Sequence, residues 1–403
     1  MYTKENFLEA AKIVKEVTLP TNLIHSEFYS KMTGADVYLK PENLQRTGAY
    51  KVRGSYYKIS KMSEEDRAKG LVTASAGNHA QGVAYAAQKF GCRAVIVMPV
   101  GTPLIKVKRT RAYGAEVVLY GDVYDDAYAY AQKLADEQGL TMVHPFDDFD
   151  VSTGQGSIAV EILDELPDAD MILAPIGGGG LSTGVAVCAK MLKPEIEVIG
   201  VEPRKAASMT AALEAGHPVE LASATTIADG TAVKKVGENV FPYARDNIDR
   251  VLCVDDEDLV GSFIDMVENH KLIVENSGLL SVSALKQMDL KGKKVVCILS
   301  GGNMDVTTMG SMIENGLIQR GRVFTVTVRV PDKPGQLAEM TRIAAEHKAN
   351  ILRIDHNRWV STNRAQAVEV SVTFESFDAE HKKEIMDALT GAGFSLNEVG
   401  VRM

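Results

Sequence analysis

Met171-Ile172-Leu173-Ala174-Pro175-Ile176-Gly177-Gly178-Gly179-Gly180-Leu181 is an apolar run that ends in four consecutive glycines. Met171 to Ala174 reads as a strand, and the chain from near Leu181 as a helix. A glycine turn between the two gathers backbone N–H groups at the positive end of the helix, where an anion such as a phosphate is held. Side chains would block that approach, so the turn calls for glycine. A glycine run taken alone is as readily a flexible loop; the strand before it and the helix after it favour the cradle.

The same alternation runs from about residue 70 to 315. Leu71-Val72-Thr73 leads into a helix at Ala80 to Phe90, Ala94 to Met98 is a strand stopped by Pro99, and Ala115 to Leu119 precedes a helix at Asp125 to Glu137. Further strands fit Glu197 to Val201 and Lys294 to Leu299, the latter running into Ser300-Gly301-Gly302-Asn303; an amphipathic helix fits Met1 to Val17. Strands alternating with helices imply parallel sheets covered on both faces, with ligands gathered where strand carboxyl ends meet helix N-termini.

After Gly316 to Arg322 the pattern changes. Val323 to Val330 alternates as a half-exposed strand, and Pro331-Asp332-Lys333-Pro334-Gly335-Gln336-Leu337 is a loop entering a helix expected to end near Asn350. Strands fit Ile351 to Arg358 and Ala367 to Phe374, and a helix at Ala379 to Ala392 precedes a short extended end. This is the βαββαβ order of a ferredoxin-like module.

The 403 residues are 45% hydrophobic and 24% charged, enough to bury a large core in two or three domains. A formal net charge of -9 argues against a nucleic-acid or anionic-membrane binder. The basic run Lys106 to Arg111 reads as a solvated helix face. No run of eighteen apolar residues occurs and the first residues do not resemble a signal peptide, so a cytoplasmic location is expected. Cys92, Cys188, Cys253 and Cys297 lie apart in apolar segments and read as reduced core residues.

Two further motifs join the glycine loop. Lys51 lies in Thr47-Gly48-Ala49-Tyr50-Lys51-Val52-Arg53-Gly54-Ser55, and Ser75-Ala76-Gly77-Asn78-His79-Ala80-Gln81-Gly82 follows. A lysine amine can form an imine with an aldehyde cofactor, a polar turn can grip a ring and a carboxylate, and a glycine loop can hold a phosphate; in this order they outline a pyridoxal phosphate site. Lys51 alone would be one surface lysine among many, but Tyr50 beside it can cover a ring face. The Asn78 amide suits a ring hydroxyl, while Ser75 and the N–H groups of Asn78 and His79 suit a substrate carboxylate, and Ser75 joins Lys51 as a candidate catalytic residue. The His79 imidazole is either an acid or base or, as is commoner beside a helix start, a capping or packing group. Once displaced by a substrate amine, Lys51 is a free base next to the substrate Cα.

Residues 47–55, 75–82, 177–180 and 300–303 resemble the motifs of the serine/threonine dehydratase family of fold-type II (tryptophan synthase β-like) pyridoxal phosphate enzymes, over about residues 5–318. The remaining C-terminal stretch, with Asp332 to Leu337, resembles an ACT regulatory domain. The resemblance implies an α/β, two-lobed catalytic unit over 1–319, its small lobe at about 70–147 inserted in the large one, and an ACT domain over 320–403. It implies that Lys51 carries the cofactor, Asn78 binds the ring oxygen, Gly177, Gly178, Gly179 and Gly180 hold the phosphate, and Ser300 faces the pyridine nitrogen. A neutral hydroxyl there leaves that nitrogen largely unprotonated, which weakens the electron sink and favours prompt loss of a β-substituent. Glu275 matches a family glutamate near the ring, and Thr226 to Gly230 the substrate-side loop, with backbone contacts expected around Gly230. The implied reaction removes water from L-threonine to give 2-oxobutanoate and ammonia, with L-serine yielding pyruvate as a side activity.

Serine racemases share the scaffold but carry a serine where this chain has Ala76, so one-faced elimination is favoured over racemisation; a serine dehydratase remains the other alternative. A non-catalytic sensor would not need the lysine and the phosphate loop, and both are intact. The racemase metal positions match Glu202, Ala206 and Ser208, where serine replaces an aspartate, so no tightly held metal is expected. The ACT resemblance implies isoleucine or valine bound between paired domains, and the family implies a homotetramer or dimer.

Overall fold

The computed structural model describes residues 1–358 and 368–399. The chain divides into two compact units, Met1–Met304 and Asp305–Met403. The helix Val306–Gln319, grouped with the first unit on sequence, falls in the second.

The strands of the first unit are β1 (Ile24–His25), β2 (Asp36–Lys40), β3 (Leu71–Ala74), β4 (Ala94–Met98), β5 (Glu116–Leu119), β6 (Thr141–Met142), β7 (Met171–Pro175), β8 (Glu197–Pro203), β9 (Arg250–Val254) and β10 (Lys294–Ile298). They form two sheets. One has the order β1-β2-β10-β7-β8-β9 and is parallel except for β1; the other has the order β5-β4-β3-β6 and is parallel throughout. Every residue of β3, β4 and β7 is buried, as the continuous apolar runs require when helices cover both faces. The large-sheet core joins Ile172, Val198 and Val296 to Ile158 and Val185 from covering helices, while the small sheet packs Ile96 and Leu71 against Val83 and Ala84.

Both sheets point their carboxyl ends at the expected motifs. β3 runs into Ser75 to Gly77 and the helix Asn78–Phe90; β7 runs into the glycine loop and the helix Gly180–Leu192; β10 runs into Ser300 to Asn303. Of the cysteines, Cys188 and Cys297 are buried, whereas Cys92 and Cys253 are only half-buried; all are free thiols. Cys92 and Cys253 are thus not full core residues.

The second unit contains β11 (Val323–Val330), β12 (Asn350–Asn357), β13 (Val368–Glu375) and β14 (Leu396–Val399) in an antiparallel sheet of order β12-β13-β11-β14. Helices Gln336–Glu346 and Ala379–Gly391 set Met340, Ile343, Ile385 and Leu389 against Val326, Val328, Val370 and Val372. This is the ferredoxin-like arrangement. The first of these helices stops at Glu346, short of the expected Asn350, because Lys348 turns to a left-handed φ of 56° and the Lys348 and Ala349 N–H groups close back on Ala345 and Ala344. Asn350 instead opens β12. The expected start of the next strand, Ala367, lies outside the described residues, and β13 is described from Val368.

Candidate active site

Lys51 opens the helix Lys51–Lys61 where residues 48–50 lie along the end of β10: Tyr50 N–H donates to Ser300 O (3.1 Å) and Gly302 N–H to Gly48 O (2.8 Å). Arg53, two residues on and fully buried, anchors that helix. Its guanidinium donates to both oxygens of Glu42 (2.7 and 2.8 Å) and both oxygens of Glu161 (2.7 and 2.8 Å). The Lys51 side chain has the Tyr50 ring 5.3 Å from its Nζ, which donates to Pro145 O at 2.6 Å. Burial lowers its pKa to about 8, against the opposing pull of the Glu275 carboxylate. At pH 7 about a tenth of this amine is therefore unprotonated, against less than about a thousandth of a solvent-exposed lysine.

The glycine loop is a cradle. Gly179 takes a φ of 96°, open to glycine but strained for other residues, and a Cβ on Gly178 would lie 2.2 Å from Phe146 Cγ. The N–H groups of Gly177, Gly178, Gly179 and Gly180 meet no protein acceptor among the described residues, and they stand at the N-terminus of a helix of 13 residues. Four unpaired donors on a loop tightly backed by Phe146 fit an anion of phosphate size.

Asn78 begins its helix and is held in one orientation. Its Nδ2 donates to Glu275 Oε1 (2.6 Å), and its Oδ1 accepts from Asn303 Nδ2 (2.9 Å), which also donates to Thr47 O (2.7 Å). Glu275, buried, has its pKa raised to about 7, first by burial and then by the Asp229 carboxylate. Gly230 sits beside this pair: a Cβ there would meet Ser277 Oγ at 2.8 Å and Glu275 Oε1 at 3.8 Å. Ser300 is buried, and its Oγ has no protein hydrogen-bond partner among the described residues. Ser75 Oγ accepts from Gly77 N–H (3.2 Å), tightening the turn before Asn78.

His79 settles between its two readings. It is buried, its Nε2 bonds Val143 O (2.9 Å), and burial drives its pKa down to about 3. A ring kept neutral against the sheet is a packing group. The basic helix Leu104–Ala112 also departs from expectation: Lys106 pairs with Asp229 (3.4 Å) and Arg109 donates to Asn303 Oδ1 (3.4 Å), so one side of it faces the site. At the racemase metal positions, the Glu202 carboxylate accepts from the Met209 and Thr210 N–H groups (both 2.9 Å) and the Thr210 hydroxyl. Among the described residues no cluster of three or more His, Cys, Asp or Glu suits a metal ion.

Pro145, Phe146 and Asn303 escaped the sequence reading. Pro145 acts through a backbone carbonyl and Phe146 through packing, neither of which leaves a residue-type signal. Asn303 closes a quoted motif, and its spacing from Ser300 was the available hint.

Residues 14–301 match the family model described as pyridoxal-phosphate dependent enzyme. Among curated proteins, the L-threonine ammonia-lyase of Thermotoga maritima is 42% identical over 99% of this chain and 100% of its own length. That of Geobacter sulfurreducens is 45% identical over 93% of this chain and 94% of its own. Among solved structures, the processed form of threonine deaminase isoform 2 from Solanum lycopersicum superposes with a TM-score of 0.74 at 39% identity, covering 77% of this chain and 93% of that one.

Proposed function

The chain belongs to the family of pyridoxal-phosphate dependent enzymes, and on that premise we propose that it deaminates L-threonine to 2-oxobutanoate and ammonia by removing water across Cα–Cβ, with L-serine giving pyruvate as a side reaction. The observation that carries this reading is that two consecutive residues, Pro145 and Phe146, touch the Lys51 amine and the glycine cradle respectively, which sets a desolvated amine and an anion site against one short segment. The end-to-end likeness to proteins named L-threonine ammonia-lyase supports the substrate.

Pyridoxal phosphate, when bound, supplies an electron sink that acidifies the substrate Cα–H. Lys51 would link that group. Gly177, Gly178, Gly179 and Gly180 would hold its phosphate through their free N–H groups, Asn78 would hold the ring oxygen, and Ser300 would supply a neutral hydroxyl to the ring nitrogen. Ser75 and the N–H groups that open the helix Asn78–Phe90 receive the substrate carboxylate, and the Gly230 backbone borders its side chain. The Lys51 amine, at about 8, takes the Cα proton. Arg53 keeps its helix from shifting as it does so.

Within the second unit we read residues 320–403 as an ACT module that follows the helix Val306–Gln319, and the first unit, Met1–Met304, as the catalytic one. Isoleucine or valine would bind near Asp332 to Leu337 in a homotetramer or dimer in the cytoplasm. The antiparallel sheet and the left-handed Gly335 (φ 100°) at the head of the helix Gln336–Glu346 support this. The test is 2-oxo acid release by purified protein from L-threonine and L-serine, with and without isoleucine. Faster release from threonine, slowed by isoleucine, is the expected result; no oxo acid from either substrate overturns the reading.

A further inference from the structure

His144 precedes Pro145, and nothing in the proposed reaction uses it. Its Nδ1 accepts from the N–H groups of Phe146 (3.3 Å) and Asp147 (2.8 Å), bending residues 144–147 into a turn. That turn binds four parts of the site together. Pro145 O receives the Lys51 amine, the Phe146 ring backs Gly178, and the Phe146 carbonyl, Cα and Cβ back Gly180. The Asp147 carboxylate accepts from the N–H groups of Glu238, Asn239 and Val240 (3.1, 2.8 and 3.1 Å), while Asp148 caps the helix Phe149–Glu165 and pairs with Lys58 (2.8 Å). We propose that His144 is the positioning residue of the Lys51 amine: by accepting from two successive backbone N–H groups, its Nδ1 closes the turn that aims the Pro145 carbonyl at Lys51 and presses Phe146 under the glycine loop. This role presupposes the reading of Lys51 given above.

The acceptor role demands an unprotonated Nδ1, because an imidazolium would set a donor against two donors. The surroundings enforce it. Burial lowers the His144 pKa most, and Lys51 adds to that; Asp147 and Asp148 pull the other way but do not reverse it. His79 from the helix Asn78–Phe90 is itself held neutral, and the Tyr128 ring from the helix Tyr124–Gln138 stands edge-on at 5.7 Å. Protonation below the ordinary imidazole range thus opens the turn, releasing the amine and loosening the phosphate loop together.

The experiment compares wild-type holoenzyme with His144→Phe, which keeps the aromatic contacts without the acceptor, and His144→Asn, whose carbonyl can accept from the same two N–H groups and does not titrate. Turnover, KM and the rate of cofactor release are followed across pH, and borohydride reduction with peptide mapping locates the cofactor. In His144→Phe, kcat falls roughly tenfold and cofactor release quickens, with KM changed less, as loss of one positioning hydrogen-bond pair predicts. His144→Asn recovers both and lacks the wild-type acid limb of cofactor release. A Phe variant equal to wild type, or an Asn variant that keeps the same acid limb, overturns the proposal while the cofactor still maps to Lys51. If the wild-type cofactor maps to another lysine, the reading of the site itself fails and the role of His144 falls with it.

Discussion

Burial pushes two neighbouring groups toward the same pH range: the Lys51 amine falls to about 8 and the Glu275 carboxyl rises to about 7. The second shift has a thermodynamic consequence. A carboxyl whose folded pKa lies above its ordinary 4.5 stabilises the fold fully below that value and loses the contribution as pH rises to about 7. At about 1.36 kcal/mol per pH unit, the penalty near neutrality is at most about 3 kcal/mol. Glu275→Gln removes it, so the variant should melt higher than wild type near pH 8 and match it more closely at about pH 5. It should also turn over roughly tenfold slower, because Asn78 loses a charged acceptor. Thermal melts at the two pH values decide; a variant that melts lower than wild type near pH 8 contradicts this account of Glu275.

At the scale of the element, the glycine loop and the lysine helix make separate predictions. Gly178→Ala would force a Cβ to within 2.2 Å of Phe146 Cγ, so the loop must move, and cofactor affinity should drop by roughly two orders of magnitude if one or two phosphate contacts are lost. Fluorescence titration of the cofactor measures it, and an affinity equal to wild type would mean the loop does not hold the phosphate. Arg53→Ala leaves Glu42 fully buried without its main partner and should cost about 3–5 kcal/mol in chemical denaturation. These elements were legible because local residue types carry them: an apolar strand into glycines, a lysine among small neighbours. The end of the helix Gln336–Glu346 was not, since an Ala-rich stretch continues the helical pattern and only the left-handed turn at Lys348 stops it. The facing of Lys106 and Arg109 toward Asp229 and Asn303 depends on partners more than 100 residues away, beyond any local pattern.

For the whole molecule, alternation places β3, β4, β5, β7, β8 and β10 in parallel sheets but not β1, β2, β6 or β9, and the division into two lobes comes from the family resemblance; the carboxyl ends of the sheets gather the motifs as parallel topology dictates. What could not be read is the service of main-chain atoms, such as Pro145 O, which any residue type could provide. The second unit carries the regulatory part of the proposal. Gly335→Val, at a φ of 100° outside the catalytic unit, should leave basal turnover unchanged and weaken the isoleucine response at least tenfold, with isoleucine titration as the readout. An unaltered response would move the effector site elsewhere. The most direct test of the central claim is 2-oxobutanoate release from L-threonine by wild type and by Lys51→Ala. Steady release by the wild type and a loss of at least roughly a thousandfold in the variant are expected, since one residue supplies both the cofactor link and the base. Turnover by Lys51→Ala near the wild-type rate would contradict it.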